Sequence, residues 1–334
     1  MRDEPRYRDI PLAIGGRSDR RGVIATCNYP ARAFGVRSAM ATAHALKLCP
    51  QLTVIPGNMD KYRDVSKTIL AIYHSVTDKV EPLSLDEAYL DVSDSSLYQG
   101  SATRIAQMLR AEVEKQTGIT ISAGVAPNKF LAKIASDWNK PNGLFVITPD
   151  QMESFVETLP VQKLHGVGAK TAEKLLGLNI RTGGDLRQRS LQELTEGFGQ
   201  FGQRLYELSR GVDNREVVNE RSRKSISVEH TYASDLISLP ECLKQLPILL
   251  DELQKRFKKY DENQAIIGFF VKLKFSDFTQ TTIEQRIVSY DATLFNDLLV
   301  EGFNRGRKPV RLLGIGYRLN DKEVTHYEQL ALWS

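Results

Sequence analysis

Two adjacent carboxylates, Asp86 and Glu87, stand in the segment Ser84-Leu85-Asp86-Glu87-Ala88-Tyr89-Leu90-Asp91-Val92. Short apolar runs at residues 80–83 and 88–92 flank them, which predicts two strands with the acids at the tip of a hairpin. Neighbouring side chains of a regular strand point to opposite faces, so the two acids converge on one ion only where the backbone turns. Hard oxygen ligands, few of them from protein, are what Mg²⁺ takes before phosphate and water complete its shell. Phosphoryl transfer uses such ions to hold the attacking and leaving oxygens. Taken alone, however, Asp-Glu reads as a solvated turn, because acidic pairs are common in turns and no third ligand stands nearby in the sequence.

Three further stretches bear on chemistry. Upstream lies Thr26-Cys27-Asn28-Tyr29-Pro30-Ala31-Arg32-Ala33-Phe34-Gly35-Val36-Arg37-Ser38. Downstream, Ser122-Ala123-Gly124-Val125-Ala126-Pro127-Asn128-Lys129-Phe130-Leu131-Ala132-Lys133-Ile134-Ala135-Ser136-Asp137 reads as a strand, a turn and a helix. Apolar positions of that helix are Phe130, Leu131, Ile134 and Trp138; its other face holds Lys129, Lys133 and Asp137. The third stretch, Leu164-His165-Gly166-Val167-Gly168-Ala169-Lys170, places two glycines at a turn before a helix. Backbone N–H groups there, with the helix N-terminus behind them, can hold a phosphate without reading sequence. Many glycine turns join helices with no ligand at all, and His165 reads as a turn residue rather than a catalyst.

In this order the segments resemble Y-family translesion DNA polymerases, in particular the bacterial DNA polymerase IV group, and the resemblance runs through nearly the whole chain. It implies an α+β multidomain fold, a right-hand polymerase with a palm (ferredoxin-like sheet plus helices), small fingers, a helix-hairpin-helix thumb and an α/β little finger. Asp86 and Glu87 would be the catalytic carboxylates holding Mg²⁺, two ions per active site. Tyr29 and Arg32 would reach the β and γ phosphates of a deoxynucleoside triphosphate, with Lys140, beside Pro141-Asn142-Gly143, as a second cation. Primer-template DNA would meet Gly166, Gly168 and Lys170 in the thumb and Lys272, Lys274 and Arg311 in the little finger, where Arg305, Arg307 and Lys308 are further candidates. The end of the chain, with Gln329, Leu330, Leu332 and Trp333, resembles the peptide that docks on the sliding clamp (the beta subunit). The family normally has proline where His165 stands. It also opens with a strand carrying another metal-binding aspartate, followed by an aromatic steric gate; Met1-Arg2-Asp3-Glu4-Pro5 matches just beyond that point, so two of three metal carboxylates are expected here. The implied activity is error-prone, template-directed synthesis across lesions and in DNA repair, by a monomer without proofreading. One alternative is an inactive form that only binds DNA and the clamp; another is a different two-metal phosphoryl-transfer enzyme, such as a nuclease or cyclase.

Composition agrees with that frame and excludes others. The 334 residues carry a net charge of +4, with 41% hydrophobic and 26% charged residues, an ordinary globular balance that permits nucleic-acid binding. Cys27, Cys49 and Cys242 are scattered and odd in number, which predicts free thiols in a reducing cytoplasm. No run of about 18 apolar residues marks a membrane span, and residues 1–9 lack the apolar stretch of a signal peptide.

The pattern divides into fingers (1–56), palm (57–148), thumb (149–220), a basic linker (221–225), little finger (226–319) and tail (320–334). Helical period appears at 101–116, with Ile105, Met108, Leu109 and Val113 on one face, and again at 241–260 and 291–304. Strand patterns appear at 119–125, 226–232, 266–275 and 310–319.

Overall fold

The structure, a computed structural model, describes residues 1–219, 222–260, 264–286 and 291–320. Residues 3–57 and the described residues from 222 onward form one compact unit, and residues 58–219 a second. Among the described residues no helix is long and apolar enough to cross a membrane.

The first unit begins with β1 (Leu12–Gly15), β2 (Ile24–Cys27), α1 (Tyr29–Ala33), α2 (Thr42–Leu48) and β3 (Thr53–Ile55). The strands form a sheet of order β2-β1-β3, antiparallel between β1 and β2 and parallel between β1 and β3. Ala13, Ile24, Ala31, Val36, Ala45 and Leu52 fill its small core. Asn28 sets the start of α1: its side chain accepts from the N–H of Ala31, and also from that of Leu12 at 3.0 Å, so one cap fixes the helix against β1.

The second unit opens with α3 (Met59–His74), the hairpin β4 (Val80–Pro82) and β5 (Ala88–Leu90), then α4 (Ala102–Thr117), β6 (Ala123–Val125), α5 (Lys129–Trp138) and β7 (Leu144–Val146). Helices α6 (Met152–Thr158), α7 (Ala169–Gly177), α8 (Gly183–Arg187), α9 (Leu191–Phe198) and α10 (Gln200–Leu208) follow. The expected hairpin is present, with Val80 opposite Leu90 and Glu81 opposite Tyr89. Helix α4 is present with Ser101 as its cap and with Ile105, Leu109 and Val113 buried against Ile72 and Val76.

The strand expected at 119–125 shortens to β6. Its missing part satisfies its backbone locally: the Ile119 N–H donates to the Thr117 hydroxyl at 3.2 Å, and Arg110 Nε donates to the Ile121 carbonyl at 3.2 Å. The palm-like sheet consists of two separate pairs, β4-β5 antiparallel and β6-β7 parallel.

Strand β6 passes so close to α5 that a Cβ at Gly124 would overlap the Ala132 carbonyl and the Ser136 amide. Both obstacles are backbone and cannot swing aside. Gly124→Val is therefore expected to destabilise the fold by about 3 kcal/mol, as overpacking of a closed contact does. Urea denaturation checks this, and a loss below about 1 kcal/mol would contradict the packing of β6 on α5.

The first unit resumes with β8 (Ser225–Leu236), α11 (Leu239–Leu243), α12 (Leu246–Tyr260), β9 (Ile266–Phe275), β10 (Gln280–Arg286), α13 (Leu294–Gly306) and β11 (Val310–Leu319). These strands make an antiparallel sheet of order β10-β9-β11-β8, whose apolar side packs on the helices through Leu249, Leu253, Phe269, Val271, Phe295, Leu299 and Ile315. The single helix expected at 241–260 is two. Pro247 has no N–H to continue the ladder of α11 and sits in the first turn of α12, where none is needed. Arg21 pairs with Asp235 at 2.5 Å, which ties the loop after β1 to the end of β8.

Candidate active site

Hairpin β4–β5 decides where the two carboxylates go. Val80 and Leu90 share one face of the pair and Glu81 and Tyr89 the other. The apolar face packs toward α3 and α4, where Leu90 joins Ile72, Ile105 and Leu109. Between the strands the chain turns over 83–87, closed by the Leu83 N–H donating to the Glu87 carbonyl at 2.8 Å. Asp86 and Glu87 are both exposed on that turn. Asp86 accepts from the Ser84 hydroxyl at 2.5 Å, and Glu87 pairs with Lys133 of α5 at 2.6 Å. The backbone therefore turns where the acids need it to.

Donor chemistry here fits Mg²⁺. Both groups are carboxylates open to solvent. Two protein carboxylates with water and phosphate completing the shell are what this ion accepts readily.

Helix α5 corrects the sequence reading. Lys129, which the spacing places with Lys133 and Asp137 on the face opposite the apolar one, is only 5% exposed, and it pairs with Glu81, which is fully buried. Lys129 also donates to the Glu216 carbonyl at 2.9 Å and stands 5.1 Å from the Tyr89 ring centroid. The face carrying Lys129 and Lys133 thus meets the acids of the hairpin, with Lys129 buried and Lys133 at the edge of solvent. A signal was present, since the two lysines are spaced i,i+4 and so share a face. What the sequence lacked was the tertiary contact that covers that face.

A second missed cluster lies at the start of α5. Asp213, with a fully buried side chain, accepts from the Phe130 N–H at 2.9 Å and pairs with Arg204 at 2.9 Å and Arg215 at 2.8 Å. Burial alone would raise the Asp213 carboxyl; hydrogen bonds and charge from Arg215 and Arg204 outweigh it and hold its pKa at about 2, against an ordinary 3.8.

Lys140 follows α5 and is exposed, paired with Asp137 at 2.5 Å. Tyr29 and Arg32, three apart on α1, share one side of that helix. Tyr29 is 52% exposed, and Arg32 Nε donates to the Cys27 carbonyl at 3.2 Å, which steadies the guanidinium at the helix base. These two residues belong to one compact unit; Asp86, Glu87 and Lys140 belong to the other.

The glycine turn is tight at Gly166 and open at Gly168. Gly166 has φ +89, a conformation that side chains rarely adopt, and a Cβ there would press on the Phe201 ring at 3.0 Å. Gly168 is the cap residue before α7, and Gly166, Gly168 and Lys170 are all exposed. Burial, then the charges of Arg215 and Arg204, push the His165 imidazole below its ordinary value, which leaves it neutral at neutral pH.

On the C-terminal sheet Lys274 and Arg311 both lie over the ring of Phe278, at 4.9 and 4.8 Å from its centroid, whereas Lys272 is held by Glu229 at 2.8 Å. Arg305 and Lys308 are likewise held by Glu301 and Asp277, each at 2.5 Å. Gln329, Leu330, Leu332 and Trp333 lie outside the described residues, as does Arg221 of the basic linker. Cys27, Cys49 and Cys242 are free and buried, as expected of scattered thiols.

Comparison with known proteins joins these features. Residues 1–137 match the impB/mucB/samB family, residues 162–213 the thumb domain described as that of DNA polymerase-iota, and residues 223–332 the impB/mucB/samB C-terminal domain. The chain is 57% identical over 334 residues to the DNA polymerase IV of Pseudomonas savastanoi pv. phaseolicola, covering 100% of this chain and 94% of that one. Likeness to the DNA polymerase IV of Ectopseudomonas mendocina is also 57%, covering 95% of the relative. Among solved structures, a Y-family DNA polymerase chimera of Dbh and Dpo4 superposes with a TM-score of 0.86 at 29% identity, covering 94% of this chain and 93% of that one. An insertion ternary complex of Dbh DNA polymerase does so with a TM-score of 0.65 at 27% identity, covering 95% and 93%. Matches that run through the carboxylate hairpin, the glycine turn and the C-terminal sheet alike support neither a module that only binds DNA nor a nuclease on a similar hairpin, and the chain belongs to the Y family of DNA polymerases, as a DNA-directed nucleotidyltransferase of translesion synthesis.

Proposed function

We propose that this chain adds deoxynucleotides to a primer by Mg²⁺-dependent transfer at the Asp86–Glu87 turn, and that it does so with low fidelity and without proofreading. The observation that carries this reading is the turn itself: two adjacent carboxylates exposed at the tip of a hairpin whose strands are anchored by buried Val80 and Tyr89 and by Leu90 in the core. Asp86 and Glu87 would hold the ions. Bound there, Mg²⁺ supplies activation of the primer hydroxyl and neutralises the departing pyrophosphate. Lys133, already beside Glu87, adds a fixed positive charge next to the site.

Tyr29 and Arg32 hold the β and γ phosphates in this reading, with Lys140 as a second cation. A guanidinium suits the role because it is always charged and can bind phosphate oxygens in pairs. Arg32→Ala is expected to raise the KM for the incoming nucleotide by about tenfold or more, the value of one charge-assisted hydrogen-bond pair. Its side chain donates to a carbonyl of its own unit, a bond worth little to the fold, so melting temperature changes little. Steady-state extension over a nucleotide series, beside a thermal melt, checks this; an equal loss in both would reject the assignment.

Primer-template DNA is gripped by backbone and charge rather than by base reading: the amides of Gly166 and Gly168 with Lys170 in the thumb (149–220), and Lys272, Lys274 and Arg311 in the little finger (226–319). Lys274 and Arg311, gathered on one exposed aromatic ring, are the better placed of the three; Lys272 must first leave Glu229. Fingers (1–56), palm (57–148), linker (221–225) and tail (320–334) complete the proposed division. Gln329, Leu330, Leu332 and Trp333 are proposed on sequence to dock on the sliding clamp, which would raise local concentration at the primer end. The enzyme would act as a cytoplasmic monomer. Mg²⁺-dependent primer extension by the 334-residue chain tests the central reading, and absence of extension under conditions where DNA binds would overturn it.

A further inference from the structure

Two buried charges take no part in the chemistry proposed above. Glu81 lies fully buried on β4, and Lys129 is 5% exposed at the first position of α5; they form an ion pair inside residues 58–219. Desolvating two charges is costly, and apolar residues of the same volume commonly give a core at least as stable. Stability alone therefore does not account for the pair. Its further bonds are specific: Glu81 accepts from the Val218 N–H at 2.9 Å, and Lys129 donates to the Glu216 carbonyl at 2.9 Å.

These bonds bring three pieces of the unit to one point. Helix α5 is held on one side by the helical core, where Phe130, Leu131 and Ile134 pack with Val156, Leu175 and Leu205. On its charged side Lys129 meets Glu81, and one turn later Lys133 meets Glu87 on the carboxylate turn. The chain leaving α10 passes back over the same strand at 216–218. An apolar contact slides with little change in energy, whereas an ammonium and a carboxylate with their other bonds satisfied have one favoured geometry.

We propose that the Glu81–Lys129 pair is a positioning device: it sets the register of α5 against β4–β5 and ties the segment leaving the helical core to the strand that leads into Asp86 and Glu87. Glu81 and Lys129 are positioning residues here, touching no substrate. The proposal rests on the reading of that turn as the metal-holding site.

The test uses the full chain with the double substitution Glu81→Gln and Lys129→Met, which removes both charges at nearly constant volume, and with Lys129→Arg, which keeps the charge but alters its geometry. Urea denaturation, nucleotide KM, kcat for single-nucleotide insertion and hydrogen exchange at residues 83–87 and Val218 are measured for each. Expected is a double variant that unfolds at a urea concentration close to the parent's, with KM within about twofold but kcat reduced by about tenfold or more, in line with the hundredfold loss that a misplacement of about 1 Å brings. Faster exchange at 83–87 and at Val218 accompanies it. Should the double variant fail to fold, Lys129→Arg carries the same kcat and exchange prediction alone. Parent-level kcat with unchanged exchange, in whichever variant folds, overturns the proposal. Asp86→Ala assayed alongside keeps the two readings apart: if it extends like the parent the catalytic assignment fails by itself, while exchange at 83–87 still decides whether the pair positions the turn.

Discussion

Replacing Asp86 with alanine is expected to lower primer extension by about a thousandfold, equivalent to about 4 kcal/mol of barrier, the scale of charge stabilisation that the proposed metal-holding carboxylate would support. The same change leaves the fold in place. Asp86 is exposed and bonds locally to Ser84, so its removal is expected to cost within about 0.5 kcal/mol of stability. Glu87→Gln gives a sharper version. Gln keeps the shape and an oxygen facing Lys133 but loses the charge, so a structural role would survive and a metal-holding role would not. Single-turnover extension measured beside DNA binding by fluorescence anisotropy separates chemistry from affinity. Extension within tenfold of the parent in Asp86→Ala would remove the turn from the mechanism.

Asp213→Asn is expected to cost about 3 kcal/mol of folding stability, because breaking a buried charge pair leaves its partners uncompensated. The lower end of the usual range applies, since Arg204 and Arg215 are 23% and 41% exposed and regain some hydration. A pH dependence goes with it. The folded Asp213 carboxyl titrates at about 2 against an ordinary 3.8, so its contribution is fully present above about pH 4 and is lost as pH falls from there through about 2. The integrated contribution is about 2 kcal/mol. Parent and variant stabilities therefore converge on acidification, and urea denaturation of both between neutral pH and the acid limit of folding measures the convergence. A difference independent of pH would show that Asp213 acts through shape and hydrogen bonding alone.

Local chemistry was legible in the sequence wherever the backbone itself makes the feature. The hairpin with Asp86 and Glu87 at its turn, the amphipathic α4, the glycine turn before α7 and the C-terminal sheet all follow from period, turn residues and caps, and the structure contains each of them. The same rules misplaced Pro247, read as inside one helix where it begins a second, and extended β6 into residues that bond to the side chains of Arg110 and Thr117. Both misreadings are local competitions that period alone does not resolve.

Lys129 and Glu81 show where sequence reasoning ends. A lysine on the charged face of an amphipathic helix and a glutamate between Val80 and Pro82 in a strand carry no local mark of burial. Burial is a property of what packs on a face, and the covering residues, Glu216 and Val218, are remote in sequence from both. By itself the sequence determined which residue types meet at the turn and where the glycines precede α7, since those depend on neighbours along the chain. Only the tertiary structure decided that α5 turns its lysines onto the acids of β4–β5, because the free energy of that choice lies in contacts between segments the chain brings together from far apart.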